Sequence, residues 1–151
     1  AGFSASPALP GGIQIDSLTG VISGVANAVS GEVIHTIIAT NVSGSTTFAI
    51  SLRIDPQPPC NLNYPVLAVT LEMDEVLPPL IPQVSCGPVD NFSIDPLLPA
   101  GLVLDTTTGE ISGVALEIHG PISHTVTASN SSGESFFSKF SIKSRILIAT
   151  W

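Results

Sequence analysis

The sequence predicts an all-β chain built from two copies of one small sandwich, and three observations carry that prediction. Apolar residues make up 44% of the chain, mostly Ile, Val, Leu and Ala in short runs, while only 11% is charged and 5% aromatic. Thirteen Gly and thirteen Pro interrupt those runs every few residues, which favours many short strands over helices. The third observation is an internal duplication, visible before any motif is sought. Residues 3–48 lie over residues 92–137 without a gap at an offset of 89, and 22 of the 46 paired positions are identical. The densest block sets Thr19-Gly20-Val21-Ile22-Ser23-Gly24-Val25-Ala26 over Thr108-Gly109-Glu110-Ile111-Ser112-Gly113-Val114-Ala115.

Each copy reads as a series of strands and turns. Ile13 and Ile15 flank Gln14 as Leu102 and Leu104 flank Val103, the period-2 pattern of a half-buried strand. Asp16–Gly20 and Asp105–Gly109 then interrupt: an Asp that opens a turn accepts amides ahead of it, and Gly closes the turn at positive φ. Ile22 and Ile111 begin the next strand. Further on, His35, Ile37 and Ala39 share one face of a strand, as do His124, Val126 and Ala128. Asn41-Val42-Ser43-Gly44 and Asn130-Ser131-Ser132-Gly133 are hairpin turns. Thr47–Ile54 and Phe136–Ile142 close the copies. Ahead of Phe92 the second copy has two further strands, Leu62–Met73 and Val76–Ser85, turning near Asp74.

At this point the residues carry a resemblance. The string from Leu98-Pro99-Ala100-Gly101 to Glu110-Ile111-Ser112-Gly113, followed by His124-Thr125-Val126-Thr127-Ala128-Ser129-Asn130, resembles the Ig-like, cadherin-like tandem repeats of large bacterial surface and adhesin proteins. Leu62-Asn63-Tyr64-Pro65 through Leu80-Ile81-Pro82 is similar to that family's opening strands. The resemblance spans essentially the whole chain and implies two tandem immunoglobulin-like β-sandwiches with an extracellular scaffold role. Two departures stand out: His35 and His124 occupy a place where tyrosine is expected, and Val25-Ala26 replaces Thr-Pro.

Bulk properties narrow the function classes. Four Lys plus Arg against twelve Asp plus Glu give a net charge of −8, which repels nucleic acid. The longest apolar runs, such as Ile146–Ala149, fall far short of the roughly 20 residues a bilayer-spanning helix needs, and no membrane insertion is expected. The opening Ala1-Gly2-Phe3 shows neither an initiator Met nor a signal sequence, and reads as a processed end.

Chemistry-bearing residues read as structural. Asp16 and Asp105 have no nearby carboxylates to assemble the roughly 6–8 oxygens of a calcium site, so turn capping is the reading. His35 and His124 are equivalent mid-strand positions without further His or Cys at zinc spacing. No Gly-x-Ser-x-Gly elbow occurs, and Glu72, Asp74 and Glu75 cluster at a turn rather than across a cleft. No catalytic residue, metal or cofactor is implied, and the chain is not expected to be an enzyme. Three sequons, at Asn41, Asn91 and Asn130, offer glycosylation positions on loops. With a hairpin centred near Asp74, Cys60 and Cys86 fall opposite one another, within reach of a disulfide of an oxidising compartment; two buried free thiols are the alternative.

The copies are unequal. Residues 1–57 form a domain without its first strands, and residues 58–151 form a complete one with an extra C-terminal strand at about 143–151. Losing a strand with about four buried aliphatic side chains forfeits roughly 6–12 kcal/mol at 1.5–3 each, comparable to a small domain's total stability of roughly 5–15 kcal/mol. Something must fill the gap. In the tail, Ile146, Ile148 and Thr150 share one face of a strand, and Leu147, Ala149 and Trp151 the other. With at most ~11 Å of slack in Lys143-Ser144-Arg145 it reaches another molecule, not its own first repeat. The expected function is a subunit of an extracellular pilus-like filament, polymerised from copies of itself by donation of the tail strand. The alternative is a stalk or binding module of a larger adhesin, with a surface glycan or protein as ligand.

Overall fold

The structure, a computed structural model, describes residues 2–146. It contains strands and turns only, and divides into two compact units, Ala1–Asp55 and Pro56–Trp151. The duplicated sequence folds as a duplicated pattern. In the first unit, β1 (Gly2–Ser6), β4 (Ser30–Asn41) and β5 (Gly44–Ile54) form a sheet in the order β1-β4-β5, and β2 (Ile13–Ile15) pairs with β3 (Ile22–Gly24). The second unit repeats these as β10 (Asn91–Asp95), β13 (His119–Asn130) and β14 (Gly133–Arg145), with β11 (Leu102–Leu104) and β12 (Ile111–Val114).

The second unit also has what the first does not. Four strands precede β10: β6 (Pro59–Asn63), β7 (Ala68–Glu72), β8 (Val76–Leu80) and β9 (Gln83–Cys86). The expected pair of long strands is therefore split. Proline has no N–H for the ladder, and Pro65 and Pro82 fall at the two breaks. The halves then part company. β6 and β9 pair with each other, β7 joins one sheet to give β10-β13-β14-β7, and β8 joins the other to give β11-β12-β8. These two sheets sandwich a single core.

A one-residue bulge explains where the 89-residue offset ends. Up to Phe137 the two hairpins keep the same register, Ile37 facing Phe48 and Val126 facing Phe137. In β14, Ser138 then faces Thr125 but Phe140 faces His124, so Lys139 is extra. From there the equivalent positions lie 90 apart, and Leu52 corresponds to Ile142.

The tail expectation is corrected in part. Lys143-Ser144-Arg145 is not slack before an extra strand: it continues β14, parallel to β7 with Lys143 beside Thr70 and Arg145 beside Glu72. Ser144 is buried, donates to the Glu117 carbonyl and accepts the His119 amide at 3.0 Å. Leu147, Ile148, Ala149, Thr150 and Trp151 lie outside the described residues.

The Asp turns are built alike in both units. Asp16 Oδ1 accepts the amides of Leu18 and Thr19, each at 2.8 Å, and Asp105 Oδ1 those of Thr107 at 2.7 Å and Thr108 at 2.9 Å. Gly109, at φ 74°, ends the turn; a Cβ there would lie 2.7 Å from both Phe92 and Pro82. The amides, those of Thr19 and Thr108 foremost, hold both carboxyls below their ordinary value of 3.8. A depressed carboxyl pKa contributes stability above the unfolded value and loses it as pH falls through the folded one. Asp105→Asn keeps the acceptor oxygen but has no charge to lose. Urea unfolding at pH 7 and pH 3 should therefore show a smaller acid loss for Asp105→Asn than for the parent chain. Equal losses would show that the turn amides do not favour the carboxylate.

Candidate functional site

The distribution of buried side chains marks the site. Among the described residues, every buried core hydrophobic belongs to the second unit. Leu62, Tyr64, Leu71, Leu77 and Leu80 come from the segment that carries β6–β9, and they share one buried core with side chains of β12, β13 and β14. Tyr64 is the pivot. Its ring stacks on Phe140 at 5.8 Å and meets Phe137 at 5.5 Å, and its hydroxyl donates to the Gly109 carbonyl at 2.5 Å. Burial pushes that phenol's pKa up. Each such side chain is worth roughly 1.5–3 kcal/mol on burial, so the segment matches the whole net stability of a small domain.

The first unit presents the same inward row uncovered. Phe48 is 70% exposed where its equivalent Phe137 is 8% exposed, and Ile22 is 37% exposed where Ile111 is fully buried. Ile13, Ile37, Ile50 and Leu52 are half-buried, whereas Leu102, Val126, Phe140 and Ile142 at the matching positions are buried. The β-sheet order β1-β4-β5 ends where β7 extends the second unit's sheet, and β3 lacks the partner that β8 gives β12. Among the described residues this face is an apolar surface with two open strand edges, the geometry that accepts added strands.

Local interactions are present in both units regardless. His35 Nδ1 lies 3.0 Å from the Pro7 carbonyl and His124 Nδ1 2.8 Å from the Pro96 carbonyl. A carbonyl only accepts, so Nδ1 carries the hydrogen in each. Both rings are buried, and each Nε2 is unpartnered among the described residues. They tie the first strand of each copy to the long hairpin.

The remaining sequence-predicted residues scatter. Cys60 and Cys86 are joined by a disulfide with Cα atoms 5.5 Å apart. The pairing register is one residue off direct opposition, Pro59 facing Cys86 and Cys60 facing Ser85. Glu75 Oε2 accepts the Glu72 amide at 2.6 Å and Glu72 Oε1 meets Arg145 Nε at 3.1 Å, so those carboxylates serve the turn and its neighbour strand. Among the described residues no three His, Cys, Asp or Glu side chains converge on a metal-sized site. Ile146 is exposed. The sequons are not alike: Asn41 and Asn91 are exposed, but both Nδ2 hydrogens of Asn130 are used, towards Gln57 O and Pro88 O. Sequence reasoning missed the Tyr64 bridge and this Asn130 contact, because each partner lies 45 or 73 residues away with no periodicity linking them.

The family model described as "Putative Ig domain" matches the chain twice, over residues 2–55 and 62–145. The second match reaches back across most of β6–β9; the first has no counterpart of them. Among solved structures the chain is similar to Drosophila OTK extracellular domains 3–5, at 14% identity and a TM-score of 0.48, covering 93% of this chain and 48% of that one. It is similar to the titin I-band fragment I67–I69 at 13% identity and TM-score 0.46, over 95% of this chain and 54% of that one. For Sidekick-1 immunoglobulin domains 1–5 the values are 14% and 0.45, over 96% and 32%. The chain thus spans about half or less of those three. No curated protein matches it. No helix among the described residues is long and apolar enough to cross a membrane.

Two substitutions measure the difference between the faces. Phe137→Ala should lower the second unit's stability by about 3–5 kcal/mol in chemical denaturation. Phe48→Ala should stay within about 0.5 kcal/mol. Replacing both Cys60 and Cys86 by Ser should cost roughly 3 kcal/mol through the freed 26-residue loop, and adding reductant to the parent chain should have the same effect.

Proposed function

The chain belongs to the Ig-like family whose model matches both of its repeats, and on that premise we propose that it is a load-carrying or adhesive length of an extracellular repeat protein. It consists of tandem Ig-like β-sandwich repeats, structural or adhesion-related modules. In the proposed role it is not an enzyme, and its first unit acts only once strands equivalent to β6–β9 cover the open face. The observation that carries this reading is the contrast of Phe48 with Phe137 in otherwise matching hairpins. An extracellular setting is supported by the Cys60–Cys86 disulfide, a bond that persists in oxidising compartments. The fold is one typical of extracellular and surface proteins.

A second reading has one observation in its favour. β7 is a five-residue strand lying parallel to β14, and the tail Ile146–Trp151 is long enough to take that single position beside β5 of another copy. Such donation would polymerise the chain into a filament. It supplies one strand where the second unit uses four, and Arg145 is already engaged, its carbonyl accepting the Met73 amide at 3.0 Å. Completion by a whole β6–β9 segment is therefore preferred.

Joining residues 56–89 ahead of Ala1 tests the preferred reading, because Asp90 is the residue equivalent to Ala1. The first unit should then protect its amides from exchange as the second does, and Phe48→Ala should now cost about 3–5 kcal/mol. Amides of β4 and β5 that exchange as fast with the graft as without it would sink the reading. Deleting residues 146–151 separates the two alternatives: loss of fibres seen by electron microscopy favours tail donation, and unchanged self-association excludes it.

A further inference from the structure

The tip of the β13–β14 hairpin holds a strand of linker. Asn130 Oδ1 accepts the Ser132 amide at 2.8 Å, which shapes the turn. Its two Nδ2 hydrogens go elsewhere, to the Gln57 carbonyl at 2.7 Å and the Pro88 carbonyl at 2.9 Å. Gly87 donates its amide to the Pro58 carbonyl at 3.2 Å. A Cβ on Gly87 would lie 1.6 Å from Gln57 O, so only glycine admits the linker this closely. On the other side, a Cβ on Gly133 would meet Pro58 Cβ at 3.0 Å. Gln57-Pro58 therefore runs between the Gly87-Pro88 bend and the hairpin tip.

The β4–β5 tip carries the same residues. Asn41, Ser43 and Gly44 match Asn130, Ser132 and Gly133, and Asn41 Oδ1 accepts the Ser43 amide at the same 2.8 Å. There the likeness stops. Asn41 Nδ2 makes no hydrogen bond among the described residues, and a Cβ on Gly44 would meet nothing within 4 Å. A cleft of about 340 Å³ opens there, lined by the tip itself between Ala39 and Thr46.

The amide is more than the turn requires. An aspartate or serine oxygen would accept the Ser43 amide equally well. Nor does the left-handed preference of asparagine explain it, since neither Asn41 nor Asn130 is at positive φ. What asparagine alone adds is a pair of donors, and at Asn130 both capture backbone carbonyls.

We propose that the Asn41–Gly44 tip is a second clamp of this kind, shaped to hold an extended segment with a carbonyl ahead of proline, the chemistry of Gln57-Pro58. The occupant arrives with the strands that close the first unit, so the inference rests on the reading of that unit given above. Proline suits such an occupant, because it holds the segment extended and has no N–H to leave unpaired against the tip.

Asn130→Asp keeps the turn acceptor, removes both donors and sets a carboxylate against two carbonyls. In the chain as it stands, it should speed hydrogen exchange at the Gly87 amide about tenfold, equivalent to about 1.4 kcal/mol, while Asn41→Asp leaves the first unit's exchange unchanged. Asn130→Ser, with the same acceptor and a reach too short for either carbonyl, gives the same reading should the Asp variant unfold. In the chain extended by residues 56–89 ahead of Ala1, Asn41→Asp should produce the tenfold acceleration at the added copy of that glycine. Gly87 exchange unaffected by both Asn130 variants overturns the clamp. A closed first unit in which Asn41→Asp is silent overturns its extension to Asn41 alone, leaving the proposed function standing. A first unit that stays open in the extended chain overturns both.

Discussion

A β-sheet with one apolar face is stable only when a second layer covers that face, and in this chain one segment supplies a strand to each of the two layers. Residues 59–86 bring Leu62, Tyr64, Leu71, Leu77 and Leu80 into one core with the hairpin of β13 and β14, with β7 beside β14 and β8 beside β12. Where that segment is present, Phe140, Ile142 and Val126 are fully buried; where its counterpart is absent, the matching residues are not. The hairpins themselves do not differ in kind. Their registers agree from the tip down to the bulge at Lys139.

That contrast separates interactions that need a core from those that do not. The Asp16 turn repeats the Asp105 turn bond for bond, and the His35 contact to Pro7 repeats that of His124 to Pro96, although one unit has a closed core and the other does not. These are contacts within turns or between neighbouring strands, so their geometry is set by local backbone. Tyr64 is different. Its hydroxyl reaches Gly109, 45 residues away, from the stretch between β6 and β7, and the first unit has nothing in that place among the described residues. Shape is retained locally while stability is assembled over distance.

The same division explains what could be read from residue order. The duplication, the strand faces of His124, Val126 and Ala128, and both Asp turns were legible because each is a pattern within about a dozen residues. The fate of Leu62–Met73 was not. Alternation marks it as strand, but only the sheet topology shows that the chain leaves β6 at Tyr64-Pro65 and enters a different sheet at Ala68. The cysteines illustrate a middle case: the turn near Asp74 brought them to the same neighbourhood, while the bulge between Cys60 and Asn63 decided the one-residue stagger. Lys143–Arg145 was not legible, since a polar Lys-Ser-Arg run has the composition of a spacer. Pairing with Thr70–Glu72 makes it strand, and the Ser144 hydroxyl is satisfied by Glu117 and His119.

The disulfide has a mechanical consequence. Between Cys60 and Cys86 lie most of β6, all of β7 and β8 and nearly all of β9. Tension entering at Pro59 and leaving at Arg145 crosses from Cys60 to Cys86 through the sulfur bridge and continues directly into β10. The bridged loop then lies off the covalent path, although it supplies much of the core, and is loaded only through its contacts. With the bridge open, the same pull runs along β7, which lies parallel to β14 over Ala68–Glu72, and strains those ladder bonds together in shear. The covalent link thus decides whether the segment that holds the sandwich together is also part of the cable.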